Sequence, residues 1–187
     1  MAFAATDNTD DTSVAAHAAH LLTMPSALAE LSLVEAEFVI GYTLLRRFEA
    51  GTTVIAQGER DRTGFMFLVL DGDVTVETVV VARANAIVMS VMGPGSLLGE
   101  MGLLDGAPRS ASCVALTDVS AAVLTRSALA QLIDDDPGIG AKLMIAISQR
   151  LAERLRESGQ KLLAYTQLTR AMQQEIESLD STSRRQQ

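Results

Sequence analysis

The spacing of hydrophobic and polar positions changes several times along the chain, and each change predicts an element. Val14 to Leu22 is alanine-rich, with the spacing of a short helix. Met24-Pro25-Ser26 interrupts it, because proline disfavours helix at the preceding residue. Ser26 is placed to cap a second helix carrying Leu28, Leu31 and Leu33. Ser32 to Tyr42 again has helical spacing, with Val34, Phe38 and Val39 on one side. From Leu44 the period shortens. Apolar, partly β-branched runs follow at Thr53–Ala56, Phe65–Leu70, Val74–Val81, Ala86–Met92, Ser110–Leu116 and Val119–Leu124. Asp71-Gly72 is a two-residue hairpin signal, with the run from Val74 as the return strand. Arg83 to Asn85 reads as a polar turn, and Gly93-Pro94-Gly95 as a stop. Short strands punctuated in this way predict a small barrel or roll.

Beyond the strands, Thr125 or Ser127 is placed to cap a helix through Leu132-Ile133, ended by Asp134-Asp135-Asp136-Pro137. Gly138 to Leu179 is one long helical pattern. Its positions 148, 151, 155, 158, 162, 165, 169, 172, 176 and 179 alternate by three and four, and seven of these ten are apolar. A seam of this length predicts a coiled coil, and with it a homodimer through the 148–179 helix; the alternative is a monomer that folds part of the seam onto its own roll. The fold class is therefore α+β, a small antiparallel barrel or roll with helices at both ends. The expected divisions are a disordered acidic tail (1–13), a helical lead-in (14–43), the roll (44–137), the long helix (138–179) and a frayed tail (180–187).

Composition narrows the class. With 187 residues, 48% hydrophobic and 20% charged, the chain suits one main domain with a real core. No apolar run approaches a membrane span and no basic, then apolar, leader opens the chain. The one cysteine, Cys113, reads as a small buried hydrophobe, and a reducing cytoplasm is the expected location. His17 and His20 share a helix face without further ligands and read as solvent-facing. The formal charge of −8 is uneven: 18 acidic and 7 basic residues up to Ile139, against 5 and 8 from Gly140 onward. An acidic body argues against nucleic acid as a partner.

The candidate chemistry lies at 95–112. Gly95, Gly99 and Gly102 allow positive φ or a close backbone approach. Leu103 and Leu104 suggest a short helical turn opening after Gly99, which presents free N–H groups to an anion. Arg109 adds a planar fork suited to two phosphate oxygens. Glu100, an acceptor when ionised, suits a sugar hydroxyl instead. Together they favour a small phosphorylated ribose.

The run Gly99-Glu100-Met101-Gly102-Leu103-Leu104, continued by Pro108-Arg109-Ser110-Ala111, closely resembles the phosphate-binding cassette of cyclic-nucleotide-binding domains. The resemblance extends through Phe48-Glu49-Ala50-Gly51-Thr52, Gln57-Gly58-Glu59 and Phe67-Leu68-Val69-Leu70-Asp71-Gly72-Asp73-Val74. It implies a stand-alone, catabolite activator protein-like β-roll. It implies that Arg109 pairs with the cyclic phosphate, that backbone N–H groups around Gly102 and Ala111 complete the cradle, and that Glu100, beside Gly99, accepts from the ribose 2′-hydroxyl. Ser110 is placed for phosphate or for a guanine edge. The long helix would lid the purine, through Ser158 or by stacking of Arg154. For Ser158, a polar residue setting seam register fits equally well.

The implied function is a cytoplasmic sensor of a cyclic nucleotide, cyclic AMP ahead of cyclic GMP, that signals to an unidentified protein effector through its C-terminal helix. The alternative is a scaffold that keeps the fold without binding nucleotide. A transcription factor would carry a helix-turn-helix after the long helix, and none is expected here. No nucleophile–base set or metal cluster suggests an enzyme, and no metal or cofactor beyond the nucleotide ligand is implied.

Overall fold

A computed structural model describes residues 8–79 and 86–185. The chain forms two units, 1–147 and 148–187. The first contains α1 (Asn8–Leu22), α2 (Leu33–Ile40), eight strands and the helices α3 (Glu100–Asp105) and α4 (Arg126–Asp135). The strands are β1 (Leu44–Phe48), β2 (Thr53–Ile55), β3 (Phe65–Asp71), β4 (Val74–Val79), β5 (Ala86–Met92), β6 (Leu97–Leu98), β7 (Ser112–Ala115) and β8 (Val119–Thr125). A last helix, α5 (Pro137–Arg185), begins in the first unit and continues through the second.

The strands form two four-stranded antiparallel sheets, ordered β1-β8-β3-β6 and β2-β7-β4-β5. Between them lies a core of Ile55, Phe67, Val69, Val74, Leu98, Cys113, Val119 and Ala121, joined by Val54, Ala115 and Val123. Cys113 is 5% exposed, as its alternating strand predicts. The β3 sequence does not alternate because both of its faces are covered. Phe67 and Val69 face the core, while α1 packs on β3 and Met66, Leu68 and Leu70 are also buried.

Asp71-Gly72 does not make a hairpin. β3 and β4 belong to different sheets, and the dipeptide is the corner where the chain crosses between them. Gly72 has φ +82°, and a β-carbon there would lie 2.2 Å from the Asp118 carbonyl oxygen. The Asp73 N–H donates to Thr117 Oγ1 at 3.0 Å, closing the corner on the β7–β8 turn. The dipeptide encodes a sharp reversal of backbone, and its pairing partner is set by the roll.

Three further expectations are corrected, and one element is added. Ser26 caps no helix: the 23–31 segment is a series of turns, with Ala27, Leu28 and Leu31 buried. The cap is Ser32, whose hydroxyl accepts from the Glu35 N–H while Glu35 accepts from the Ser32 N–H at 2.9 Å. α1 begins at Asn8, inside the segment expected to be disordered; the sequence of its first turn is acidic, the sign that a helix N-terminus favours. α5 runs to Arg185, through the segment expected to fray. β6, only two residues long, had no pattern to announce it. The turn expected at Arg83–Asn85 lies outside the described residues.

α4 is capped by Thr125, whose hydroxyl accepts from the Ala128 N–H. Pro137 opens α5, and Asp136 Oδ1 accepts from the Ile139 N–H at 2.9 Å. α2 is tied to α5 by an ion pair between Glu35 and Lys142, and just beyond its end the Tyr42 hydroxyl donates to Asp135 of α4 at 2.6 Å. His17 and His20 are both exposed.

In the second unit α5 is largely solvent-exposed, and Leu155, Leu162, Tyr165 and Met172 are all more than half exposed. The hydroxyls of Ser158 and Thr169 donate to the carbonyls of Arg154 and Tyr165 in their own helix, both at 2.8 Å. Ser158 and Thr169 are thus satisfied within their own helix.

Candidate functional site

α3 is the short helix expected after Gly99, which adopts φ +85° as its N-cap. Asp105 Oδ1 accepts from the Ala107 N–H at 2.8 Å and shapes the turn that follows. Beyond Pro108 the backbone of Arg109 is fastened on both sides to the β2–β3 loop. Its N–H donates to the Glu59 carbonyl at 3.0 Å, and its carbonyl accepts from the Gly58 N–H at 2.8 Å. Gln57-Gly58-Glu59 therefore frames the arginine from a segment about fifty residues away in sequence.

The Arg109 side chain runs inward and is only 5% exposed. Nη1 donates to the Gly99 carbonyl at 2.8 Å, and Nη2 to the carbonyls of Arg62 and Phe65 at 3.0 and 2.9 Å. The guanidinium lies 4.6 Å from the centroid of the Phe65 ring, a cation–π distance. Nε is buried without a hydrogen-bond partner. All three acceptors are neutral carbonyls, and none is a carboxylate. Burial pushes the guanidinium below its ordinary pKa, opposed by Cys113, Glu59 and Glu100. The site thus holds a desolvated cation whose charge no hydrogen-bonded anion neutralises.

Of the two properties expected of Gly102, positive φ is not used, and the close approach is made by Arg109. A β-carbon there would lie 2.7 Å from Nη1 of Arg109 and 3.1 Å from the Thr63 carbonyl oxygen. The glycine leaves room for the arginine beneath α3. Glu100, the first residue of α3, is 2% exposed.

The structure gathers Gly99, Glu100, Gly102 and Arg109 into one cluster, with Ser110, exposed, and Ala111 continuing the chain from Arg109. Arg154 and Ser158 lie in the other unit, on α5. Sequence reasoning missed three participants: the Phe65 ring, the carbonyl of Arg62, and Arg126. Arg126 donates from Nε and Nη2 to the carbonyls of Leu103 and Gly102. Carbonyl acceptors of an arginine leave no mark on side-chain identity, so only Phe65 and Arg126 were open to detection. Among the described residues no group of three or more metal-ligating side chains occurs. No helix among them is long and apolar enough to cross a membrane.

Residues 45–136 match the cyclic nucleotide-binding domain family. The chain is 33% identical over 106 residues to a CRP-like cAMP-activated global transcriptional regulator of Mycobacterium tuberculosis, covering 56% of this chain and 45% of that protein. It is 30% identical over 119 residues to the cyclic AMP receptor protein of Thermus thermophilus, covering 64% and 54%. The chain thus spans about half the length of these curated relatives. Among solved structures, a cyclic nucleotide-binding domain from Methylobacillus flagellatus superposes with a TM-score of 0.69 at 28% identity, covering 81% of this chain and 83% of that one.

Proposed function

Through residues 45–136 the chain belongs to the cyclic nucleotide-binding domain family, and on that premise we propose that it is a sensor of a cyclic nucleoside monophosphate, cyclic AMP ahead of cyclic GMP. The observation that carries this reading is the state of Arg109. A guanidinium buried among neutral carbonyls, with one N–H unpartnered, keeps its charge in a medium that would favour an approaching anion. A cyclic phosphate monoanion supplies one charge and two exposed oxygens to that point.

In this reading Arg109 holds the phosphate, with Ser110 and the N–H groups around Gly102 and Ala111 completing the cradle. Glu100, beside Gly99, accepts from the ribose 2′-hydroxyl. A site built to hydrogen-bond a hydroxyl discriminates against the deoxyribose analogue that lacks it. Arg154 and Ser158 on α5 are the candidates for the purine. Ligand acts by favouring one placement of α5, which a second copy and a protein effector in the cytoplasm then read. Relatives that are a cAMP-activated regulator and a cyclic AMP receptor protein support cyclic AMP as the ligand.

The test is calorimetric titration of cyclic AMP and cyclic GMP into wild type, Arg109→Lys and Glu100→Gln, with folding of each checked by thermal melting. Binding of cyclic AMP by the wild type, lost in Arg109→Lys and weakened in Glu100→Gln, is expected. A folded wild type that binds neither nucleotide overturns the sensor reading and leaves a scaffold on the same fold.

A further inference from the structure

α4 grips the cassette helix at one end and the long helix at the other. At the first end, Arg126 donates from Nε to the Leu103 carbonyl at 3.0 Å and from Nη2 to the Gly102 carbonyl at 2.9 Å. These carbonyls belong to the last turn of α3, where the helix dipole is negative, and that of Gly102 also accepts from the Gly106 N–H at 3.1 Å. The Arg126 backbone N–H also donates to the Gly64 carbonyl at 2.8 Å, which fixes the arginine beside the β2–β3 loop. At the other end, Gly140 in the first turn of α5 sits against Ile133 of α4, so closely that a β-carbon would lie 2.8 Å from Ile133 Cγ1. Asp136 closes the elbow, its carbonyl accepting from the Gly140 N–H and its side chain from the Ile139 N–H, both at 2.9 Å.

We infer that Arg126 is the positioning residue through which occupancy of the cassette reaches the base of the long helix. The inference rests on the nucleotide-binding reading above and adds a route to it. Gly102 stands between two arginines: Arg109 fills the space a side chain would need, and Arg126 holds its carbonyl. An anion that draws on Arg109 shifts α3, and the shift moves the Gly102 and Leu103 carbonyls against a planar, two-point fork. α4 spans only ten residues, a rigid length of helix, and passes the displacement to Ile133 and so to the first turn of α5. A single flexible lysine donor would keep the charge at the α3 C-terminus without the two-point grip.

The experiment uses the full chain as wild type, Arg126→Ala and Arg126→Lys. Affinity for cyclic AMP and cyclic GMP is measured by calorimetry, and amide hydrogen exchange is followed with and without saturating nucleotide. In the wild type, ligand is expected to slow exchange in both 99–111 and 126–147. In Arg126→Ala the dissociation constant rises roughly tenfold, the scale of a lost charge-assisted hydrogen bond. Ligand still protects 99–111 there but no longer 126–147. Arg126→Lys, which preserves the helix-end charge and the fold, binds close to wild type yet shows the same loss at 126–147. That split separates positioning from support of the fold, which would lower the melting temperature and leave the ligand-dependent difference intact. A wild type that binds neither nucleotide overturns the sensor reading and this inference with it. A wild type that binds, with 126–147 protected equally in Arg126→Lys, overturns this inference alone.

Discussion

Gly102 and Arg109 occupy the same small volume: a β-carbon on the glycine would lie 2.7 Å from Nη1 of the arginine. The other atoms at that point are the Thr63 carbonyl oxygen, 3.1 Å away, and Cζ of Arg109 at 3.2 Å, so neither neighbour yields easily. Gly102→Ala is expected to push the guanidinium off its three carbonyl acceptors. Overpacking of this kind costs about 1–3 kcal/mol. Nucleotide affinity should fall further than the loss of stability accounts for, because the cation itself is displaced. Thermal melting and calorimetry on the same variant check this, and unchanged affinity would show that the arginine has slack.

Gly72 supplies the contrasting case, a glycine required by the fold alone. Its φ is +82°, and an added β-carbon would stand 2.2 Å from the Asp118 carbonyl oxygen, which leaves no room for alanine. Gly72→Ala should cost about 1–3 kcal/mol from backbone strain alone, and more from the clash. Measured well below its melting temperature, the variant should bind nucleotide as the wild type does. Weaker binding by the folded variant would connect the sheet corner to the cassette, a link the geometry does not contain.

The ion pair between α2 and α5 gives a pH dependence of definite sign. Lys142 and the Ser32 cap together lower the Glu35 carboxyl from 4.5 to about 2. A depressed carboxyl contributes stability that is fully present above its unfolded pKa and lost as pH falls through the folded value. The melting temperature of wild type should therefore exceed that of Lys142→Met at neutral pH. The gap should narrow between pH 4.5 and 2 as Glu35 protonates. Melting curves across that range read it directly, and a gap that widens with acidification would contradict the assignment.

Much of this architecture was legible in the chain because side-chain pattern carried it. The strand runs, the Thr125 cap, the buried Cys113 and the short helix after Gly99 all follow from local spacing and are present. Asp71-Gly72 was misread because a turn signal specifies local backbone and says nothing about which sheet receives the next strand. Ser26 reads as a cap because the apolar residues Leu28 and Leu31 mimic a helix face, whereas they are buried from turns. At the candidate site, Arg109 and its glycines stand out in the sequence by their spacing. Their physical relation was not, since the arginine's acceptors are backbone carbonyls of Gly99, Arg62 and Phe65.

The seam of α5 carries the remaining prediction. Leu155, Leu162, Tyr165 and Met172 are 75%, 67%, 66% and 56% exposed on a helix whose tail carries no other covering element within its own unit. Apolar residues repeating by three and four over this length are costly in water and are expected to pair with the same seam of a second copy. Leu163 is equally apolar and 65% exposed, but it lies outside the repeat. Sedimentation of the wild type should give the mass of a dimer, and Leu162→Glu, which places two carboxylates inside the seam, should give a single chain with reduced helix content. Leu163→Glu should leave the dimer intact. If the two substitutions disrupt assembly equally, association follows general hydrophobicity and not the heptad. If the wild type sediments as one chain, the seam awaits a different partner.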